Sequence, residues 1–306
     1  MGVDRFSGVI SVVVPTYNWP EALAAVLYGL ANQTDRSFEV VVADDGSDHR
    51  TAEVVSNACV RAKHVWHEDR GFRVAEIRNR ATLACKGEYV IFLDGDCIPR
   101  PNFVATHRRL AEPGYFVQGS RIVLREKLTQ RILTEKLNPG KWGPLTWVGH
   151  RIGKRMGRLA PLVTLPLGPL RKLSEQTSER AWGCNQAFWH KDLVRVDGFD
   201  SAFVGWGWED SDLTARVLHA GVKRKNGNYA TGVIHLYHES PSARQNRILF
   251  NETLATARIQ ARKGMSTLVE GEGSIQPSEQ GGVNGTGYSA SVVPERRQAV
   301  TSDTPT

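Results

Sequence analysis

The chain has 306 residues, 41% of them apolar, and a formal net charge of +7 at pH 7. That length and apolar share allow a full buried core and exclude a chain that is disordered or fibrous throughout. No stretch has the form of a membrane span or a secretory leader: after Met1-Gly2-Val3-Asp4-Arg5 the apolar run Val9 to Val14 is short and stops at Pro15, so a cytoplasmic protein is expected.

Val9 to Pro15 predicts a first strand, Glu21 to Asn32 an amphipathic helix, and Phe38 to Ala43 a second strand that runs into Asp44-Asp45-Gly46-Ser47. Strand, helix and strand in that order predict a right-handed crossover in a parallel sheet. Thr51 to Arg61 continues as a helix, Lys63 to His67 as a short strand and Val74 to Lys86 as another helix. Tyr89 to Leu93 is continuously apolar, as a strand covered on both faces is, and it delivers Asp94-Gly95-Asp96 at its C-terminal end. Ligands bind at that edge of open α/β sheets, and two carboxylates separated by one residue can hold a hard divalent cation against a diphosphate. In isolation the same three residues also suit an acidic turn. The region lacks both G-x-G-x-x-G and G-x-x-x-x-G-K-[ST], which argues against a dinucleotide or P-loop site and leaves a donor's phosphates to carboxylates and a metal.

After Pro99 the alternation of strand and helix is lost until Trp182. From Arg121 to Lys172 twelve Lys and Arg face two acids, Glu126 and Glu135, interleaved with Leu, Ile, Trp142 and Trp147. Such a segment suits an anionic membrane surface, an acidic acceptor or nucleic acid, and equally a solvated helical face. Trp182 to Trp189 opens a new compact region. Val196-Asp197-Gly198-Phe199-Asp200, the cluster Gly205-Trp206-Gly207-Trp208-Glu209-Asp210-Ser211-Asp212, a helix from Asp210 to Ala220, and Val233-Ile234-His235-Leu236-Tyr237-His238 follow. Beyond about Gly264 the composition turns to Gly, Ser, Glu, Gln, Thr and Pro, which predicts a disordered tail. Cys59, Cys85, Cys97 and Cys184 have no paired metal-ligand spacing, and buried thiols are expected rather than disulfides.

Several of these segments occur in a telling order. Val12-Val13-Val14-Pro15-Thr16-Tyr17-Asn18, Asp44-Asp45-Gly46-Ser47, Arg78-Asn79 with Lys86-Gly87-Glu88-Tyr89, and Phe92-Leu93-Asp94-Gly95-Asp96 resemble the nucleotide-sugar half of family-2 glycosyltransferases of the A-type fold. Gly198-Phe199-Asp200 and Gly205-Trp206-Gly207-Trp208-Glu209-Asp210 resemble the acceptor half of β-1,4-galactosyltransferases and of related bacterial hexosyl and N-acetylhexosaminyl transferases. The resemblance spans about Val9 to Glu239; each motif is common alone, and their order makes the match specific.

The resemblance implies that Asp45 binds the nucleoside base or ribose, with Pro15, Tyr17 and Asp44 shaping that pocket, although Asp-Gly-Ser alone equally suits a type I turn. Arg78 or Arg80 is the candidate guanidinium for the diphosphate. Asp96, and through it Asp94, would hold a cation, with His238 as third ligand and His235 as second choice; such a mixed shell suits Mn²⁺, with Mg²⁺ as a substitute. Asp210 corresponds to the general base of an inverting transfer and Glu209 to the residue that hydrogen-bonds the acceptor sugar. Trp206 would stack on an acceptor ring, and Gly205 and Gly207 would let their loop close over the donor. Glu209-Asp210 also suits a helix N-terminus, a role compatible with catalysis. Trp208 departs from the pattern, standing where the galactosyltransferases have glycine.

The expected protein is α/β, with a mostly parallel central sheet flanked by helices. A catalytic unit covers 1–264, made of a nucleotide-sugar half (8–100), a basic helical insertion (121–180) and an acceptor and metal half (181–264), and a disordered tail covers 265–306. The implied activity is metal-dependent, inverting transfer from a UDP-linked sugar onto a growing glycan in bacterial envelope polysaccharide, capsule or lipopolysaccharide synthesis. The basic insertion would rest on the anionic inner membrane face, where lipid-linked acceptors lie. Two other classes share these residues: a retaining transferase or nucleotidyltransferase on the same donor half, and a non-catalytic basic module that binds polyanions. The ordered carboxylates argue against the latter, since they repel phosphate polymers unless a cation intervenes, and no nucleic-acid partner is expected.

Overall fold

The structure, a computed structural model, describes residues 6–179, 181–239 and 246–273. β1 (Ile10–Thr16), α1 (Pro20–Ala31), β2 (Phe38–Asp44), α2 (His49–Ser56), β3 (Ala62–Trp66), α3 (Val74–Leu83) and β4 (Tyr89–Leu93) alternate as the sequence predicts. Along β1 the side chains divide between two cores. Ile10, Val12 and Val14 pack with Leu23, Val26, Leu27 and Leu30 of α1, whereas Val13 packs with Val41, Phe92 and, from α3, Ala75 and Ile77. Both faces are covered, so the strand reads as an unbroken apolar run. α2 begins at His49, ahead of the expected Thr51, because Asp48 caps it by accepting from the Arg50 N–H at 3.1 Å, and it ends at Ser56 rather than Arg61.

The second half departs further from the sequence reading. β5 (Cys97–Ile98) precedes Pro99, and α4 (Phe103–Leu110), β6 (Tyr115–Gln118) and β7 (Arg121–Val123) fill the stretch after it where the alternation is lost on paper. Next come α5 (Glu126–Thr134), α6 (Pro144–Ile152), β8 (Asn185–Trp189), α7 (His190–Arg195), α8 (Glu209–His219), β9 (Lys223–Asn226), β10 (Val233–His235), α9 (Asn246–Thr256) and α10 (Met265–Gly273). The main sheet runs β3-β2-β1-β4-β8-β6-β9, with β8 antiparallel to both neighbours and the other strands sharing one direction. A small sheet, β5-β10-β7, pairs His235 with Cys97 and Val233 with Arg121. These pairings are long-range, and the short strands they select carry little periodicity of their own. β9, Lys-Arg-Lys-Asn, has no apolar residue; its Lys225 is buried, donating to the Leu110 carbonyl and to Glu112, each at 2.9 Å.

The basic insertion is helical, but not all of its apolar groups face outward. Leu128 and Ile132 of α5 join the core, and Trp147 is buried against Trp142 and His150, which removes it from any membrane-facing surface. Ordered structure also runs past the boundary expected at Gly264. Met265 is buried in the core shared by α3 and β4, and Asp197 accepts from the Met265 and Ser266 N–H groups at 3.1 and 2.8 Å. The composition of this segment hides one anchoring side chain; the rest of the expected tail, 274–306, lies outside the described residues. Among the described residues no helix is long and apolar enough to cross a membrane. The four cysteines are free, with Cys97 and Cys184 buried and Cys59, against expectation, exposed.

Candidate active site

A cleft of about 800 Å³ opens where β1, β2 and β4 end and α8 begins. Pro15, Tyr17 and Asp45, expected at the donor, line one wall of it. Asp45 is held on both oxygens, by His67 Nε2 at 2.7 Å and by the Arg73 N–H at 2.8 Å. Asp44 is buried and does not line the cleft. Its oxygens meet the Ser47 N–H and His64 Nε2, each at 2.8 Å, so it closes the turn that aims Asp45. Tyr17 is half exposed and donates its hydroxyl to Asp69 at 2.9 Å; that bond, helped by burial and the Asp69 charge, raises the phenol's pKa.

Gly95 separates the two acids of Asp94-Gly95-Asp96 because β1 leaves no room there. Its N–H donates to the Pro15 carbonyl at 2.9 Å, and a Cβ at this position would stand 2.6 Å from the same oxygen. The two carboxylates flanking it serve different partners. Asp94 accepts from Arg78 at 2.9 Å, and the other arm of that buried guanidinium reaches Glu209 at 2.9 Å. Burial alone discourages the Arg78 charge, but Asp94, Glu209 and Asp210 outweigh it and move its pKa upward. Arg78 is thus a brace between the two halves, with both arms committed to carboxylates. Arg80 pairs with Glu76 at 3.1 Å and does not line the cleft.

Asp96 faces two imidazoles: its Oδ2 lies 3.1 Å from His238 Nε2 and 3.8 Å from His235 Nε2. The small sheet brings them together, through the pairing of His235 with Cys97 and the bond from the Leu236 N–H to the Asp96 carbonyl at 2.9 Å. Burial opposes the Asp96 charge, yet the hydrogen bond from His238 and the charges of both histidines bring its pKa below the ordinary value. The same hydrogen bond, working against burial, pushes His238 up to about 9, whereas burial lowers His235. Asp96, Cys97 and His235 lie close enough to share an ion. Burial drives the Cys97 thiol well above its ordinary value, and it donates to Asp96 Oδ1 at 3.3 Å, which makes it a poor ligand. The Asp96 carboxylate with the imidazole of His235, or with that of His238, suits a divalent transition metal, and Asp94 is turned toward Arg78.

The wall expected to receive the acceptor starts at α8. Glu209 is buried; one oxygen meets Arg78, and Oε2 has no hydrogen-bond partner among the described residues. Asp210 accepts from the Gly183 and Ser211 N–H groups at 2.6 and 2.7 Å. Burial and the adjacent Glu209 charge push its carboxyl up to about 7, against the pull of Arg78 and those two N–H groups. Trp206 is 39% exposed and lines the cleft, available for a ring to stack on. Trp208 stacks on Phe250 at 5.0 Å and has φ 75°, the left-handed conformation that glycine adopts most readily. Gly205 and Gly207 also have positive φ, and the loop is strapped by Asn246 Nδ2, which donates to the Gly207 carbonyl at 3.0 Å. The sequence reading missed Asn246, Arg121, Trp182, His64 and His67, because each reaches the site or its supports through long-range contacts without a motif of its own.

Residues 11–161 match Glycosyl transferase family 2, and residues 173–239 match the family described as N-terminal domain of galactosyltransferase. Among curated relatives, chondroitin synthase of Escherichia coli is 30% identical over 78% of this chain and 35% of its own length. Validoxylamine A glucosyltransferase of Streptomyces hygroscopicus subsp. jinggangensis is 28% identical over 82% of this chain and 61% of its own. The chain therefore spans less than two thirds of either relative. A mannosyltransferase of Pyrobaculum calidifontis, solved with GDP-Man and Mn²⁺, shares the fold with a TM-score of 0.51 at 21% identity, covering 76% of this chain and 58% of that one.

Proposed function

The chain belongs to the glycosyltransferases, joining a family 2 domain to a galactosyltransferase-type domain, and on that premise we propose that it moves a hexosyl or N-acetylhexosaminyl group from a UDP-linked sugar onto a glycan, with inversion and with the help of a divalent cation. The observation that carries this reading is the meeting of Asp94-Gly95-Asp96 and Glu209-Asp210 in one cleft, braced by Arg78. Asp210 takes the proton of an acceptor hydroxyl while that oxygen bonds the anomeric carbon from the face opposite the diphosphate. The bond from that carbon to the phosphate oxygen breaks, and its electron pair leaves with UDP. When bound, a cation such as Mn²⁺ supplies Lewis-acid stabilisation to the diphosphate, and Asp96 and His238, with His235 beside them, would hold it. Glu209, with one oxygen free of partners among the described residues, receives a hydroxyl of the acceptor sugar.

The polysaccharide synthase among the relatives supports an acceptor in bacterial envelope glycan synthesis. The excess of Lys and Arg over acids in the basic insertion supports work at an anionic membrane surface. Purified protein, incubated with UDP-, GDP- and dTDP-sugars and Mn²⁺, is expected to release nucleotide from the UDP sugars, and proton NMR of the product should show an inverted anomeric centre. Release that persists unchanged in chelator would overturn the metal role. A product with retained configuration would overturn Asp210 as base.

A further inference from the structure

Beside the main cleft lies a second cavity, about 450 Å³ in volume, within the range of small-molecule sites. Arg121, Arg158, Trp182 and Tyr229 line it, and none of its lining residues is acidic. The Arg121 guanidinium lies 4.3 Å from the centre of the Trp182 ring and donates to the Cys184 sulfur at 3.8 Å. Neither Arg121 nor the exposed Arg158 has a carboxylate partner among the described residues. The main cleft, by contrast, is lined by Asp45, Asp94, Asp96, Glu209 and Asp210.

The second cavity is also built, since its far wall is fixed from behind. Arg171 is buried and donates to the carbonyls of Asn226, Asn228 and Tyr229 at 2.9, 2.7 and 3.2 Å, which locks the turn that presents Tyr229 in a left-handed conformation. On the near wall, the Ser120 hydroxyl is buried without a hydrogen-bond partner among the described residues. Arg121 and Trp182 line both cavities, and the residue after Trp182 supplies the N–H that holds Asp210 at 2.6 Å. A ligand seated there therefore adjoins the acceptor end of the cleft.

We propose that this cavity seats an anionic sugar residue of the acceptor, next to the unit that receives the new linkage. This rests on the glycosyl-transfer reading for the word acceptor and on the cavity alone for the charge. Two guanidiniums without carboxylate partners recognise a carboxylate or a phosphate, and the indole and phenol rings supply faces on which a sugar ring stacks.

Calorimetry on the full chain tests it, first without nucleotide, using a disaccharide ending in glucuronic acid, glucose 6-phosphate and neutral cellobiose. The expected result is at least about tenfold tighter binding of one or both charged probes than of cellobiose, the worth of one hydrogen bond to a charged group. A preference for the uronic acid assigns the site to a carboxylate, and a preference for the phosphate assigns it to a phosphorylated sugar. Arg158→Gln, an exposed substitution, should abolish that preference while leaving cellobiose unchanged. Equal affinity for all three probes, or a preference that survives in R158Q, overturns the proposal. Binding of UDP with Mn²⁺ is read separately in the same protein. Its failure would count against the transfer reading alone, because the charge preference is measured with no donor present.

Discussion

The two carboxylate pairs that flank the cleft, Asp44-Asp45 with only Asp45 lining it and Glu209-Asp210, are held in different ways. In Asp44-Asp45 every oxygen has a protein partner, from Ser47, His64, His67 and Arg73. In Glu209-Asp210 one Glu209 oxygen has none among the described residues, and burial beside a like charge pushes Asp210 up to about 7. Asp210, like Asp44 and Asp45, has a partner on each oxygen, from the Gly183 and Ser211 N–H groups, so it is burial beside a like charge, and not a missing partner, that suits it to exchange a proton near neutral pH. On the proposed reading the donor side is organised for shape and the acceptor side for chemistry.

The sharpest way to break that comparison is Asp210→Asn, which keeps the shape of the side chain and removes its ability to take a proton. Turnover is expected to fall by about 10² to 10⁴, the usual worth of a positioned base, while UDP affinity stays near wild type. Steady-state kinetics at saturating donor would show it, and turnover above about a tenth of wild type would return Glu209-Asp210 to a helix-end role. Arg78→Met tests the brace that joins the halves. It strands Asp94 and Glu209 without their shared cation, so unfolding free energy in urea should drop by about 3 to 5 kcal/mol. A loss under about 1 kcal/mol, the value of an exposed pair, would mean that water already satisfies both acids.

The same contrast marks what the sequence made legible. β1 to β4 and their helices are local units with unbroken apolar strands, and Asp45, Asp94 and Asp96 stand where the chain pattern places them. Asp44 looked equivalent to Asp45 on paper and Arg80 to Arg78, yet one step at a strand end and two steps along a helix send side chains in opposite directions, and neither Asp44 nor Arg80 lines the cleft. On the acceptor side β6, β7, β9 and β10 have three or four residues each and exist through their partners. The approach of His235 and His238 to Asp96 depends on the β5-β10-β7 sheet, which no periodicity announces. Trp208 shows the opposite case: a departure from the family pattern that the fold absorbs by stacking the ring on Phe250.

A weaker effect is expected at the metal site, where several groups share the work. Asp96→Ala should lower Mn²⁺-dependent UDP affinity by about 10- to 100-fold or more, taking the loss of a supporting residue as the lower guide. His238→Ala should cost less, because His235 lies 3.8 Å from the same carboxylate and can remain as a ligand. Calorimetry in Mn²⁺ and in chelator separates the cases: equal UDP affinity in both, for the wild type, would remove the cation from the donor wall.

The last test is a pH dependence whose sign follows from Asp210. The residue acts as a base only when ionised, and its carboxyl is pushed up to about 7, first by burial and then by the Glu209 charge. Below that pH the ionised fraction falls about tenfold for each unit, so kcat/KM for the acceptor should rise with unit slope from pH 5 and level off near 7. An ordinary solvated carboxylate titrates near 4 and would give a flat profile across that range. The D210N enzyme supplies the control, since its residual rate should not follow the same curve. A wild-type profile that is flat from pH 5 to 8, with D210N equally flat, would show that burial beside Glu209 does not raise Asp210, and the contrast between the two walls would not hold.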